Sequence, residues 1–184
     1  MGMKQILVMM AAVAVMVLKA QSVVADEKLI ADPIVEWEIR KKLLKPEGEL
    51  TEADLRKLTF LNLALTKITD TGLKDVAKLQ NLDRLHLLKT KITDEGLREV
   101  AKLQKLTYLT LVETKITDAG LKELAKLQKL KILELNRTKI TDAGLKEVAN
   151  LKQLTLLYLS GTKITAERIA ELRKALPNCL ISGP

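Results

Sequence analysis

The sequence predicts an α/β solenoid with a parallel, concave inner sheet, and three observations carry that expectation. Thr-Lys-Ile-Thr-Asp recurs at Thr66, Thr90, Thr114 and Thr138, each start 24 residues after the last. Thr-Lys-Ile-Thr-Ala follows on the same spacing at Thr162, and no insertion breaks the series. A fixed period of this length is the mark of stacked units. Within each period the apolar spacing changes from about two residues to about 3.6, so each unit reads as a strand followed by a helix. Finally, the chain is 47% apolar but only 2% aromatic. Leucine layers suit that composition better than a globule packed around aromatic rings.

Residues 1–25 read as a secretory signal. Lys4 precedes an unbroken apolar run, Ile6 to Leu18, and small or β-branched residues at Val23-Val24-Ala25 place cleavage after Ala25. The run is 13 residues long and ends at Lys19, short of the ~20 needed to cross a bilayer. The mature chain is therefore expected to be exported, periplasmic or extracellular, and not membrane-spanning. No cysteine lies near the cut, so no lipid-anchored N-terminus is expected. The whole chain carries +8; without Lys4 and Lys19 the balance is 29 basic against 23 acidic residues, or +6. That charge favours anionic partners without requiring them.

Residues 26–57 form the expected N-terminal cap. Asp32-Pro33 is an N-cap and N1 pair that starts a helix through about Leu44, stopped by Lys45-Pro46-Glu47-Gly48. Trp37 and Ile39 are expected to cover the first leucine layer. Leu50 to Leu55 reads as a shortened repeat.

Residues 58–165 hold five repeats. Their leading leucines are Leu58, Leu82, Leu106, Leu130 and Leu154. The alternating pairs Leu61/Leu63, Leu85/Leu87, Leu109/Leu111, Leu133/Leu135 and Leu157/Leu159 place leucines inward on a short strand. In the third repeat Leu121, Leu124, Ala125 and Leu127 fall at helical spacing. Thr69 or Asp70, and their equivalents, are candidate caps for each helix. Gly72, Gly96, Gly120 and Gly144 are expected to let the next unit sit close, and Arg168 replaces them in the last unit. Residues 166–184 are the expected C-terminal cap: a helix from Ala166 to Ala175, then Leu176 to Ile181 echoing the strand pattern with Cys179 and Ile181 inward.

Leu-x-x-Leu-x-Leu-x-x-Thr resembles the leucine-rich repeat, with Thr at the usual Asn or Cys position. Ile-Thr-Asp-x-Gly-Leu-x-x-Leu/Val-Ala resembles its cysteine-containing subclass. The 24-residue period with a signal segment is similar to secreted bacterial leucine-rich-repeat proteins. The resemblance covers residues 50 to 181 and implies binding of a protein or ligand rather than any particular activity.

Variation along the chain points to where binding occurs. Between Thr90–Leu106 and Thr114–Leu130, 14 of 17 residues are identical, exposed helix positions included. The outward strand positions differ in every repeat. The first column reads Phe60, Arg84, Tyr108, Ile132, Leu156; the second reads Asn62, His86, Thr110, Glu134, Tyr158. Drift at solvent-facing sites would scatter the helical face equally, and it does not explain Phe60, Ile132 and Leu156 facing water. Exposed apolar clusters mark interaction sites, and Tyr and Arg are enriched at binding hot spots. The candidate partner-binding set is therefore Phe60, Asn62, Arg84, His86, Tyr108, Thr110, Ile132, Glu134 and Tyr158. Six strands at ~4.8 Å spacing span ~25 Å, a size suited to a protein epitope, a peptide or a glycan.

A second ladder, Lys67, Lys91, Lys115, Lys139 and Lys163, runs along the ascending loops. It reads as a solvated edge, or alternatively as the anion-binding edge of a structural cell-envelope protein that holds an anionic polymer. Nucleic acid is not an expected partner, because no recognition motif accompanies the charge. No catalytic set, metal site or cofactor is expected. Cys179 points inward on the sixth strand and His86 outward on the second, ~19 Å apart by strand spacing, and there is no second histidine. The sequence reading is a monomeric, non-catalytic binding protein.

Overall fold

The computed structural model describes residues 28–183; the signal segment lies outside the described residues. Helix α1 (Pro33–Leu43) and a one-turn α2 (Glu52–Arg56) precede the regular alternation β1 (Phe60–Asn62), α3 (Asp70–Val76), β2 (Arg84–His86), α4 (Asp94–Val100), β3 (Tyr108–Thr110) and α5 (Asp118–Leu124). It continues through β4 (Ile132–Glu134), α6 (Leu145–Val148), β5 (Leu156–Tyr158), α7 (Ala166–Ala175) and β6 (Leu180–Ser182). The six strands form one parallel sheet in chain order. Pairing is in register, so Phe60, Arg84, Tyr108, Ile132, Leu156 and Leu180 form one row, and Asn62, His86, Thr110, Glu134, Tyr158 and Ser182 another. This is a leucine-rich-repeat solenoid, with helices on one side of an open sheet.

The core is a single column of leucine layers between sheet and helices. Leu61, Leu85, Leu109, Leu133 and Leu157 are all essentially inaccessible, as are their partners from Leu63 to Leu159 and the loop isoleucines Ile68, Ile92, Ile116 and Ile140. The repeat threonine closes the turn after each strand. Thr66, Thr90, Thr114, Thr138 and Thr162 each donate a hydroxyl hydrogen bond to the leucine carbonyl three residues back, at 2.6–2.8 Å. A carbonyl that points into the layer is thereby satisfied without an asparagine or cysteine.

The aspartate of each repeat has a different task from the one expected. Asp70 accepts the backbone N–H of Thr93 at 2.8 Å and its hydroxyl at 2.7 Å. Asp94, Asp118 and Asp142 do the same for Thr117, Thr141 and Thr165. The carboxylate therefore joins one unit to the next instead of capping its own helix. Thr117 and Thr165 make side-chain caps, while Thr69 and Thr93 make none.

The glycine expectation also reverses direction. A Cβ at Gly96 would collide with Asp70 and Leu73, and one at Gly120 with Asp94 and Leu97. The glycine thus makes room for the preceding unit's carboxylate, not for the following unit. Arg168 stands at the last such position, and there the row of helices opens. α6 begins only at Leu145. A cleft of about 260 Å³, lined by Leu145, Ala149, Arg168, Glu171 and Leu172 among others, separates it from α7.

The N-terminal cap joins the stack through Asp75. It accepts the backbone N–H groups of Ala31 and Asp32 at 2.8 and 2.7 Å and pairs with Lys78. These contacts outweigh its burial and hold the carboxyl below its ordinary range. Asp32 caps α1 through Ile34 and Val35, with Pro33 in the first turn. α2 carries a full capping box from Thr51 and Asp54. Lys45, then Lys57 and Thr51, hold the Asp54 carboxyl well below the usual range.

Trp37 does not cover the first layer. Val35 and Ile39 are buried and Trp37 is 67% exposed. Residues four apart share a helix face, so a side chain midway between two buried ones points away from the core. With Arg40, Lys41, Leu44 and Pro46 it lines an outward apolar hollow of about 400 Å³.

Two outcomes check this packing. Leu109→Ala is expected to cost ~2–5 kcal/mol in urea melts, because neighbouring layers limit collapse around the void. Lys122→Ala, on the solvent side of α5, is expected to stay within ~0.5 kcal/mol. Trp37→Ala is expected to fall in the second class, and the single tryptophan to show the long-wavelength emission of a solvated indole. A buried-type emission, or a Trp37→Ala loss comparable to that of Leu109→Ala, would contradict this orientation.

Candidate functional site

The helix-free face is built almost entirely from the two registered rows. Each strand is only three residues long, so the outer residues of every strand face outward while the middle one is buried. Phe60, His86, Tyr108, Ile132, Glu134 and Tyr158 are half-buried, and Asn62 and Arg84 are exposed. All of the sequence-predicted residues lie on this face by register, and five of them, Phe60, Arg84, His86, Tyr108 and Glu134, are in contact.

Phe60 meets His86 edge-on with ring centroids 5.0 Å apart. His86 meets Tyr108 at 5.0 Å in a tilted arrangement. The Tyr108 hydroxyl donates to the Glu134 carboxylate. The result is a continuous chain of side chains crossing β1 to β4. Phe60 is flanked by two cations: Arg84 lies 5.2 Å and Lys42 5.3 Å from the ring centre. Cations over a phenyl face are attracted by the ring quadrupole.

Thr110 departs from its expected place. It stands in the outward row between His86 and Glu134, yet it is only 5% exposed. So little exposed, Thr110 offers a partner almost no surface. Asn62 also stands apart, since its side-chain oxygen accepts the Ala64 N–H at 3.0 Å.

Electrostatics follow from these contacts. Burial, with the hydrogen bond to Glu134, raises the Tyr108 hydroxyl above its ordinary value, so it remains a protonated donor. Burial lowers His86; the Glu134 charge pulls it up and the Arg84 charge pushes it down further. His86 is therefore neutral at pH 7. The Cys179 thiol is raised by burial and is not an activated nucleophile. Among the described residues no group of three His, Cys, Asp or Glu side chains is placed to hold a metal ion.

Next to the rows runs an edge of left-handed residues. Leu65, Lys89, Glu113 and Arg137 have φ between 52° and 62°, and Gly161 has φ 71°. Glu113 is held between Lys89 at 3.2 Å and Arg137 at 2.8 Å, which lowers its carboxyl below the ordinary value.

Two residues of the face were missed by sequence reasoning. Leu180 continues the first row and is 73% exposed; the echo of the strand pattern at Leu176–Ile181 already implied its direction. Lys42 comes from α1, outside the repeats, where no periodicity could place it over Phe60.

Comparison with known proteins agrees with the fold. Two family models described as leucine-rich repeat match residues 104–164 and 54–77. Among solved structures the chain is similar to a leucine-rich-repeat protein of Leptospira interrogans, at 30% identity and TM-score 0.56. That match covers 73% of this chain but only 34% of the Leptospira protein. It is also similar to internalin C2 of Listeria monocytogenes, at 25% identity and TM-score 0.53, with 83% of each chain covered. An internalin (inlF) of the same organism matches at 20% identity and TM-score 0.50, over 82% of this chain and 55% of that one, a likeness of fold alone. A search of curated proteins finds no match. The chain is thus built of leucine-rich repeats, and no described helix is long and apolar enough to cross a membrane.

Because His86 is the only histidine, its titration is directly readable by NMR. Its midpoint is expected below the ordinary ~6.5. Glu134→Gln should lower it further by removing the opposing charge, and Arg84→Ala should raise it. A midpoint above 6.5 in the unaltered protein would contradict the packing described.

Proposed function

We propose that this is an exported, monomeric, non-catalytic binding protein that docks a protein, peptide or glycan across the helix-free face. The observation that supports this reading most strongly is the contiguous chain Phe60, His86, Tyr108 and Glu134. Its members fix one another's rotamers before any partner arrives. Side chains already ordered lose less entropy on binding. Residues 26–57 and 166–184 serve as caps on the repeats of 58–165, and the repeats are of the cysteine-containing type. Export follows from the signal reading of residues 1–25, which places the mature chain in the periplasm or outside the cell.

One observation favours a second reading, a structural envelope protein that holds an anionic polymer. Lys67, Lys91, Lys115, Lys139 and Lys163 are all exposed. Helix-side cations such as Lys78, Arg98, Lys102 and Lys126 pair with acids three residues away. The ladder lysines pair with no carboxylate among the described residues. The helix-free face remains the better candidate because its side chains differ from repeat to repeat while the lysine edge is uniform.

The experiment is titration of a partner recovered by pull-down from the cell-envelope fraction. Tyr108→Ala is expected to weaken binding by at least ~2 kcal/mol, as central aromatic anchors do. Neutralising Lys91 and Lys115 together should mainly slow association and reduce its salt dependence. Unchanged binding by Tyr108→Ala, with affinity lost in the lysine pair, would replace the first reading with the second.

A further inference from the structure

Resting on the binding-face reading, we infer that the partner is an extended peptide segment of a protein, with an acidic side chain at one end and aliphatic side chains at the other. The two ends of the face differ in kind. At β1 and β2 the exposed cations Lys42 and Arg84 flank Phe60. At β4 to β6 the first row becomes Ile132, Leu156 and Leu180, wholly aliphatic. The only carboxylate in the two rows is Glu134, at the aliphatic end, where it accepts from Tyr108. Within the two rows the positive charge therefore lies at one end, with Arg84 also 3.8 Å from Asp83, and the single carboxylate lies at the other.

The same features disfavour the other occupants. A glycan needs many free hydrogen-bonding groups, and the centre of the face offers few, because three of its polar side chains are already engaged or covered. Glu134 is bound by Tyr108, Asn62 by the Ala64 N–H, and Thr110 is covered. Phe60, His86 and Tyr108 pack against one another edge-on or tilted and are not laid out as flat platforms. A polyanion would set negative charge on Glu134 and on the aliphatic half. A peptide meets both ends, because apolar and acidic side chains can share one strand.

Geometry sets the spacing. From β2 to β5 is three strand steps, ~14 Å, or ~4–5 residues of extended chain at ~3.3 Å each. The full face accommodates ~7 residues. The recognised segment therefore carries Asp or Glu about four to five positions from Leu, Ile or Val.

The test uses the purified protein, immobilised and panned against a phage-displayed library of random linear nine-residue peptides. The expected selected set pairs an acidic residue with aliphatic residues at that spacing. The variant Lys42→Glu/Arg84→Glu, checked for folding by circular dichroism, is expected to exchange the selected acid for Lys or Arg. Leu156→Asp is expected to remove the aliphatic preference while leaving the acidic one. Selection of no peptide, of peptides without the pair, or of the same set by the charge-reversed variant overturns the inference. In the last case, loss of binding by Tyr108→Ala would leave the face as the site and remove only its polarity. Peptides that bind every face variant, and are lost only when Lys91 and Lys115 are neutralised, would overturn the face reading as well.

Discussion

No leucine layer in this protein is buried by its own repeat. Leu109 has no access to water only because the layers of Leu85 and Leu133 lie on either side of it. Everything else depends on keeping successive units at one distance and one rotation. In the Asp–Thr joint each carboxylate accepts two hydrogen bonds, from the N–H and the hydroxyl of the following unit's threonine, and the glycine of that unit leaves the carboxylate its space. The recurrence of these three residues follows directly, because an aspartate, its threonine and the facing glycine must suit each other across every junction.

The strand side has no such obligation. The outward side chains of a three-residue strand contact mainly one another, within and across the two rows, and the backbone hydrogen bonds of the sheet are indifferent to side-chain identity. The sheet can therefore present Phe60, Arg84, Tyr108 and Ile132 at adjacent positions of one row without disturbing a single leucine beneath. A site of this kind gains its shape from side chains alone. The Tyr108–Glu134 bond and the two ring contacts at His86 organise it.

What the sequence could express was whatever depends on period. The inward leucines, the row register and Cys179 and Ile181 in the last layer all follow from spacing, and the structure agrees with each. What it could not express was which neighbour a polar side chain would choose. Asp70 as a helix cap and Asp70 as a joint to Thr93 are the same letters, and only the rotation between units decides. Gly96 has the same ambiguity about which side crowds it. Trp37 failed for a different reason: its size suggested burial, but Val35 and Ile39 one turn apart had already defined the inward face of α1. Thr110 was read correctly as a member of the outward row and wrongly as available, because spacing sets its row but not its burial. Lys42 reaches the face from outside the repeats, where periodicity is silent.

The left-handed residue after each strand carries a wider consequence. Glycine adopts that backbone freely, and Gly161 does so in the last repeat. Leu65, Lys89, Glu113 and Arg137 hold it against the steric preference of their own Cβ, a strain on the order of 1–3 kcal/mol each. The rim of the face is therefore where this molecule trades thermal robustness for chemical variety. A lineage under heat selection would be drawn toward glycine there, erasing the Lys89–Glu113–Arg137 ladder first, whereas one under selection for new partners would keep paying in stability for side chains that project from the edge.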